Sequence, residues 1–168
     1  MTTAAALNPL PASAAIDFLL KPDKKLRFYS VHTKESLDVC YCRNGVYETD
    51  SLRRINYILR DHRTGDIMTI DTDLLDLLHD ISLKTRSQSP FHIISGYRSA
   101  ATNARLRRIG KGVAAKSLHV QGKAIDVRIP GVSTQRLRDE SIKLGGGGVG
   151  YYPKSDFVHV DVGRVRCW

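Results

Sequence analysis

The sequence predicts one α+β domain, built on a small, mostly antiparallel sheet with helices packed on one side. Three observations support this expectation. The chain has 168 residues, 42% of them hydrophobic, which suits one core and is too short for two. Short apolar runs bounded by turn residues, which are typical of strands, occur early and again late in the chain. Segments with apolar residues at helical spacing precede and interrupt the later runs.

A hairpin opens the domain. Residues 26–31 and 36–41 are apolar runs on either side of a short polar turn, which predicts two paired strands. A helix is expected over about residues 49–62, because its apolar residues recur at helical spacing and Gly65 lies just beyond its end. A second helix is expected over about residues 73–86, where leucines at helical spacing supply the buried side.

Strands and helices alternate in the second half of the chain. Residues 91–95 are a short apolar run after a proline and are predicted to form a buried strand. A third helix is expected over about residues 100–108, followed by a loop over residues 110–117. Residues 124–129 have the composition of another strand.

The chain is expected to close with one helix and two strands. Ser133 is placed to cap the fourth helix, which ends near Leu144. The glycine run at residues 145–148 has no phosphate-binding pattern around it, since no Gly-Lys-Ser/Thr follows. We expect a tight connection there, leading into strands at residues 149–152 and 157–162.

Residues 1–22 are expected to be a flexible tail or the remnant of a signal peptide, ahead of a single domain at residues 23–168. They are rich in small residues, and Ala12-Ser13-Ala14 fits the pattern of a signal-peptidase site. The basic first region and a full apolar region of a signal peptide are missing, so both interpretations stay open. No apolar run in the chain approaches the roughly 20 residues of a membrane span.

The chain is basic, with 26 Lys and Arg against 17 Asp and Glu and a formal net charge of +9. This excess favours anionic partners, such as nucleic acid, an anionic surface or a polymer rich in carboxylates. The basic residues are scattered in pairs, and no repeat of aromatic and basic residues suggests a surface on which bases stack. Nucleic acid is therefore not expected as a partner.

The sequence contains three cysteines, Cys40, Cys42 and Cys167. Cys40 and Cys42 alternate along a predicted strand and are expected to be two small buried residues on the same side. A disulfide between one of them and Cys167 is the alternative in an oxidising compartment. The odd number leaves one thiol unpaired in either case.

Two histidines and one carboxylate can together form a metal site. Neutral imidazole and carboxylate are good zinc ligands, and three protein ligands leave a fourth tetrahedral position open. Gly122 allows a sharp turn between His119 and Asp126, so that a loop histidine and a strand aspartate can converge on one ion. His159, on a neighbouring strand, can complete the set. Apolar neighbours predict that Asp126 is buried, and a buried carboxylate needs a partner.

The sequence contains the pattern Ser117-x-His119-x-x-Gly122-x-Ala124-x-Asp126, preceded by Ser-Gly-Tyr-Arg-Ser at residues 95–99 and followed by His159. This pattern resembles that of the zinc D-Ala-D-Ala carboxypeptidase family, most closely its murein endopeptidase branch. The resemblance covers nearly the whole chain beyond the first residues. It implies a zinc-dependent peptidase that hydrolyses amide bonds in peptidoglycan stem peptides or cross-links, in the periplasm or cell envelope. It also implies a zinc site on the open face of the sheet, with His119, Asp126 and His159 as ligands.

The resemblance extends to residues that act on the substrate. Arg98 is expected near the scissile carbonyl, where it stabilises the developing oxyanion, or against a substrate carboxylate. Ser117, Gln121 and Tyr97 are expected to contact the substrate or to support the metal ligands.

The general base is expected to be Asp156. Members of the family place the base two or three residues before the last histidine, and the residue two before it here, Phe157, cannot take a proton. Asp156 stands three before it and is shorter than the glutamate of the family by one methylene. Asp161 shares a strand face with His159 and is the other candidate, although it is better placed to orient a ligand or a neighbouring group.

Three other functions stay open at the level of the sequence. The first is a D-alanyl-D-alanine carboxypeptidase or dipeptidase, although the short glycine-rich connection at residues 145–148 favours an open groove for a polymer. The second is a murein-binding module with an impaired site, for which Phe157 leaves room. The third is a basic nucleic-acid-binding domain with a structural zinc, which the scattered charge disfavours.

Overall fold

The computed structural model describes residues 22–110 and 114–168. The expected tail or signal-peptide remnant at residues 1–22 lies outside these ranges except for Pro22. Within them, no helix is both long enough and apolar enough to cross a membrane.

One sheet of eight strands runs through the described part of the chain. The strands are β1 (Lys24–Ser30), β2 (Ser36–Arg43), β3 (Val46–Tyr47), β4 (Phe91–Ser95), β5 (Ala124–Arg128), β6 (Gly148–Tyr152), β7 (Phe157–Asp161) and β8 (Arg166–Cys167). Their order in the sheet is β3-β2-β1-β4-β5-β7-β6-β8. Neighbours are antiparallel except for the parallel pairs β1–β4 and β6–β8. The predicted mostly antiparallel sheet is confirmed.

The described residues form four α-helices, which confirms the predicted α+β class. Three of them begin at a side-chain cap, in which Asp71, Ser99 or Ser133 accepts a hydrogen bond from a backbone N–H of the first turn. The helices are α1 (Thr49–Ile58), α2 (Thr72–Thr85), α3 (Ala100–Ile109) and α4 (Thr134–Leu144), and two short 3-10 helices span Leu118–Gln121 and Pro153–Ser155.

The hydrophobic core lies between one face of the sheet and helices α1, α2 and α4. Alternation along β5 and β7 directs Ile125, Val127, Val158 and Val160 into this core. The residues between them point to the opposite face, where the polar residues of β5 and β7 lie. Helix α3 contributes no residue to the core, and its Leu106 lines a cleft on that opposite face.

Helix α1 ends at Ile58, four residues before the predicted end, because the backbone beyond it has other partners. The carbonyl of Leu59 accepts a hydrogen bond from the N–H of Tyr97 at 2.7 Å. A Cβ atom at Gly96 would lie 2.4 Å from the same carbonyl oxygen, so only glycine allows this approach. The segment after α1 therefore fixes the loop that leads into α3.

The two-residue strands β3 and β8 were not predicted, since so short a segment carries no periodicity. The register between β1 and β2 shifts at Lys24 and Lys25, which interrupts the alternation of β2 near its cysteines. Cys42 is buried, Cys40 is half-buried and Cys167 is exposed, and all three thiols are free. The expected burial thus holds fully for Cys42 alone, and the alternative disulfide to Cys167 is not formed.

Candidate active site

His119, Asp126 and His159 meet on the sheet face opposite the core. The Nε2 atom of His119 lies 3.2 Å from Asp126 Oδ1 and 3.2 Å from His159 Nδ1, and the last two atoms are 2.9 Å apart. All three residues are buried. A zinc ion with ligand distances near 2 Å in tetrahedral geometry needs ligand atoms about 3.3 Å apart. The three side chains are therefore spaced as zinc ligands are.

The fold brings these residues together by strand register and by one tight turn. Asp126 on β5 and His159 on β7 are directly paired across the antiparallel ladder, so their side chains share a face. His119 belongs to the 3-10 helix that ends at Gly122, whose φ of 68° is left-handed. A Cβ atom at Gly122 would lie 2.3 Å from the carbonyl oxygen of Thr69. Glycine is thus required where the chain turns into β5.

In each of the two histidines, the outer ring nitrogen, which points away from the cluster, has a hydrogen-bond acceptor. His119 Nδ1 lies 2.8 Å from the carbonyl oxygen of Gly96, and His159 Nε2 lies 2.9 Å from Asp161 Oδ2. Each of these nitrogens donates a proton to its acceptor, so in the neutral imidazoles the inner nitrogens carry the lone pairs. Asp126 Oδ1 presents a third lone pair to the same point. Three acceptors facing one another repel unless a cation lies between them, and such outer partners are characteristic of metal-bound histidines.

Asp161 has acceptor bonds on both carboxylate oxygens. Its Oδ1 accepts from the backbone N–H of Gly163 at 2.8 Å and of Gly148 at 3.0 Å, and its Oδ2 accepts from Arg166 Nη2 at 2.7 Å. Asp161 is fully buried, with 0% of its surface exposed. Burial alone would raise the pKa of Asp161, but hydrogen bonds from His159, Arg166 and these N–H groups hold it well below the ordinary value. Asp161 is therefore a fixed anion that orients His159, and a poor proton acceptor.

Arg98 holds the second oxygen of Asp126. Its Nη2 donates to Asp126 Oδ2 at 3.1 Å, which leaves Oδ1 directed at the two histidines. Its Nε and Nη2 also lie within 3.4 Å of Ser95 Oγ. The described protein atoms offer no acceptor to Nη1, so two N–H groups of this buried guanidinium remain for a ligand in the cleft.

The charges of the cluster affect one another. Burial alone would raise the pKa of Asp126, but His119 and His159 outweigh it and hold the pKa well below the ordinary value. Burial alone would lower the pKa of His159, but hydrogen bonds to Asp126 and Asp161 raise it above the ordinary value. A negative charge on Asp126 and a positive charge on His159 therefore stabilise each other in this arrangement.

A cleft of about 340 Å³ opens onto the three residues. One wall is aromatic: Tyr152 and Phe157 stack with ring centroids 4.6 Å apart, and Trp168 Nε1 donates to the Tyr152 hydroxyl at 2.9 Å. Cationic side chains also line the cleft, among them Arg98, Lys116 and Arg166. The cleft thus offers apolar contact and positive charge beside the cluster, which suits a substrate with carboxylates.

Other residues proposed from the sequence lie both inside and outside the cleft. Ser117 lines it together with Asp161. Gln121 is exposed and is not part of the lining, and Tyr97 packs against the hydrophobic core. These two positions do not support the substrate contacts expected for Gln121 and Tyr97.

The expected general base, Asp156, is not part of the cleft lining. Its Oδ2 accepts from Arg128 Nη1 at 3.0 Å, and its side chain is 62% exposed. Asp156 has a left-handed φ of 53° at the end of the 3-10 helix Pro153–Ser155, immediately before β7. This turn directs the carboxylate toward Arg128. In this conformation Asp156 pairs with Arg128 outside the cleft lining, and its role as the general base stays a prediction.

Three cleft residues, Tyr152, Arg166 and Trp168, were given no role from the sequence. They carry no local motif, since β8 is too short for periodicity. The one available signal was the glycines of β6: a Cβ atom at Gly150 would lie 2.7 Å from the ring of Trp168.

Comparison with known proteins identifies the family. The family model described as Peptidoglycan L,D-endopeptidase MepK matches residues 20–168. The peptidoglycan L,D-endopeptidase MepK of Escherichia coli (strain K12) is 37% identical over 164 residues, which cover 98% of this chain and 89% of that protein. The probable peptidoglycan L,D-endopeptidase MepK of Haemophilus influenzae is 36% identical over 163 residues, or 96% of this chain and 88% of that protein. No solved structure matches the chain significantly.

The matched residues include every residue that lines the cleft, from Arg98 to Trp168. The similarity to a family of peptidases that was inferred from the motif is confirmed. The chain belongs to the peptidoglycan L,D-endopeptidase MepK family of peptidases.

Proposed function

We propose that this protein is a zinc-dependent peptidase that hydrolyses L,D-amide bonds in the peptide cross-links of peptidoglycan. The observation that carries the proposal is the convergence of His119 Nε2, Asp126 Oδ1 and His159 Nδ1, three acceptor atoms within 3.2 Å of one another, at a cleft. The names of the relatives supply the polymer and the class of bond.

Zinc is the proposed cofactor because the donor set suits it. Two imidazole nitrogens and one carboxylate oxygen are zinc ligands, and three protein ligands leave a position open to substrate or water. A zinc ion supplies Lewis acidity there, which polarises a carbonyl and activates water. The proposed site lies on the open face of the sheet, away from the core.

Residues of the protein itself position the metal ligands and bind the substrate. Arg98 donates to Asp126 Oδ2, which leaves Oδ1 for the metal. Its guanidinium also lines the cleft, where its remaining N–H groups stabilise the oxyanion of the reacting carbonyl or bind a substrate carboxylate. Asp161 fixes the orientation of His159. Ser117 lies in the cleft lining, where its hydroxyl is available to the peptide.

Asp156 and Asp161 are the two candidates proposed for the general base. Asp161 is saturated by donors and buried, so it accepts a proton poorly. Asp156 is exposed and acts as the base only if its carboxylate leaves Arg128 and turns into the cleft. Substitution of each residue distinguishes them, as described in the Discussion.

The proposed location is the periplasm or cell envelope, where peptidoglycan lies and where cell-wall biogenesis requires bonds to be opened. The proposed partner is peptidoglycan peptide, and the net charge of +9 is consistent with a substrate that carries free carboxylates.

Digestion of purified sacculi tests the function. Wild-type protein is incubated with sacculi with and without a chelator, beside His159→Ala and the control His79→Ala, whose histidine lies on α2 outside the cleft. Released peptides are identified by mass spectrometry. We expect fragments that vanish with chelator and with His159→Ala but persist with His79→Ala, and their masses name the bond.

Other outcomes select the alternatives. Loss of D-Ala from soluble stem peptides without release from sacculi would show a carboxypeptidase. Zinc binding without hydrolysis of either substrate would show a murein-binding module.

A further inference from the structure

We propose that residues 166–168, the β8 segment, position the candidate ligand His159, and that glycines of β6 make the room for this segment. The inference rests on the proposed metal site. It assigns roles to Arg166, Trp168 and Gly150 that neither the motif nor the family description supplies.

Arg166 acts on His159 through Asp161. Its Nη2 donates to Asp161 Oδ2 at 2.7 Å, and its Nη1 lies 3.2 Å from Asp161 Oδ1. This two-pronged pairing fixes the plane of the carboxylate whose Oδ2 accepts from His159 Nε2. Without the guanidinium, the Asp161 carboxylate can rotate, and it then no longer fixes the orientation of His159.

Trp168 acts on His159 directly. The two ring centroids are 5.3 Å apart, and the Arg166 guanidinium lies 4.9 Å from the Trp168 ring. The indole N–H of Trp168 donates to the hydroxyl of Tyr152, and this hydrogen bond fixes the orientation of the indole ring. Backbone bonds between Trp168 and both Val149 and Tyr151 anchor the segment to β6.

Glycines on one face of β6 provide the space. Gly150 is paired with His159 across the ladder, and a Cβ atom there would lie 2.7 Å from the Trp168 ring. A Cβ atom at Gly148 would lie 2.5 Å from side-chain atoms of both Arg166 and Asp161. Any larger residue at these two positions forces the β8 side chains away from His159. The glycine-rich connection thus serves the site as well as the turn.

Zinc affinity is the readout, measured by competition with a chromogenic chelator on the full chain. We expect Arg166→Gln to weaken zinc binding roughly tenfold, the low end of the range for partners of a metal-bound histidine. Arg166→Lys restores part of the affinity, since an ammonium still pairs with Asp161. The ¹⁵N signals of the His159 ring give a second readout: Arg166→Gln broadens or shifts the Nε2–H resonance, which a remote structural defect leaves in place.

A double-mutant cycle tests Trp168 and Gly150. Gly150→Ala weakens zinc binding in the wild-type background by displacing the indole, and it has no further effect when Trp168 is already alanine. An equal loss in both backgrounds would overturn the role of Trp168. Zinc affinity within twofold of wild type for Arg166→Gln would overturn that of Arg166. Failure of the wild-type protein to bind zinc would instead count against the proposed function.

An independent observation concerns α3. Arg105, Arg107 and Arg108 are exposed, α3 contains no acidic residue, and Ile109 is 72% exposed. The ion pairs formed within residues 22–110 and 114–168 include none of these arginines. Within the described residues, their charges are therefore uncompensated.

Two of these arginines, Arg105 and Arg107, lie beside the cleft, whereas Arg108 lies on the far side of α3, about 200° around the helix from Leu106. Leu106 lines the cleft, and neighbouring residues of an α-helix are about 100° apart, so Arg105 and Arg107 flank the side that faces it. Lys116 lines the cleft as well and adds a fourth cation. We infer that the exposed face of α3 is a docking surface for a polymer that carries many carboxylates, the class to which the proposed substrate belongs.

Binding to sacculi in a His159→Ala background, which keeps the polymer intact, tests this surface by sedimentation. We expect the variant Arg105→Gln, Arg107→Gln, Arg108→Gln to bind roughly tenfold less tightly, since three exposed charge contacts each contribute a factor of about two. The matched control Lys25→Gln, Arg54→Gln, Lys84→Gln removes the same charge elsewhere and binds as the parent does. Sacculi with amidated carboxylates abolish the difference between the two.

Two outcomes would overturn the docking surface. One is equal binding by the arginine variant and its control. The other is loss of binding to anionic lipid vesicles with unchanged binding to sacculi, which would assign the surface to a membrane. Cleavage of a small soluble cross-linked peptide by the same triple variants with His159 intact should be unchanged, and it reports on the proposed function separately.

Discussion

Asp61 accepts a hydrogen bond from the backbone N–H of Ser99, with 2.9 Å between Oδ2 and the nitrogen. Asp61 also accepts from the N–H of Arg63 at 3.0 Å, and only 1% of its surface is exposed. Ser99 caps α3 and directly follows Arg98. A buried carboxylate therefore anchors the loop that carries Arg98 and that also supplies the Gly96 carbonyl to His119.

Asp61→Asn should lower the free energy of unfolding by about 1–3 kcal/mol at neutral pH, because a buried charge-assisted hydrogen bond is weakened. Burial alone would raise the pKa of Asp61, but hydrogen bonds from Thr102, Arg63 and Ser99 hold it well below the ordinary value. A lowered folded-state pKa gives stability that is present above the unfolded value near pH 4 and is lost as the pH falls below it.

Urea unfolding of wild type and Asp61→Asn from pH 7 to pH 3 measures this difference in the free energy of unfolding. The difference between the two should shrink on acidification. Asp38→Asn, in an exposed pair with Arg27, should change stability by less than about 0.5 kcal/mol. A difference for Asp61→Asn that stays constant with pH would contradict the assignment.

Zinc should stabilise the folded chain. A ligand that binds only the folded state adds about 4 kcal/mol when its concentration is a thousand times the dissociation constant. We expect a chelator to lower the melting temperature of the wild type, and added zinc to restore it. Asp126→Asn should show neither change, since one of the three ligand atoms loses its charge. A chelator effect of equal size in both proteins would place the metal elsewhere.

Asp161→Asn should weaken zinc binding about 10- to 100-fold. Asparagine keeps the shape but replaces one acceptor oxygen with a donor. It therefore cannot accept from His159 Nε2 and Arg166 Nη2 at the Oδ2 position and also from the N–H groups of Gly148 and Gly163 at the Oδ1 position. The zinc dissociation constant by chelator competition checks this. Unchanged affinity together with lost hydrolysis would instead identify Asp161 as the general base.

Asp156→Asn should lower kcat/KM by less than about tenfold, because the carboxylate pairs with Arg128 outside the cleft. Removal of a general base costs about 100- to 10,000-fold. Arg128→Gln is the matched variant, since it removes the other partner of the same ion pair. A large loss for Asp156→Asn with full activity for Arg128→Gln would show that Asp156 turns into the cleft and is the base.

Arg98→Lys should lower kcat/KM by about 100- to 1,000-fold, the cost of losing one oxyanion donor. Lysine keeps the charge but cannot bridge Asp126 and a ligand at once, because it lacks the planar fork. Arg53→Lys, in an exposed pair with Asp50, is the control and should be neutral. Soluble cross-linked peptide is the substrate to use, so that polymer binding does not enter the result.

Much of this fold was accessible from the sequence because its signals are local. Helical spacing of leucines located α2, and Ser133 located the start of α4. The turn at Gly122 and the strand pattern around Asp126 and His159 indicated which side chains converge, since residues two apart on a strand share a face.

The sequence by itself determined the fold class, the family and the three residues of the candidate metal site, because periodicity and motif spacing involve neighbours along the chain. The tertiary structure alone decided that Asp156 pairs with Arg128 and that α1 ends at Ile58. It also decided that Arg166 pairs with Asp161 and that Trp168 lies beside His159. Those relationships depend on which strands lie side by side and on the space that glycines leave between them. No short stretch of sequence contains that information.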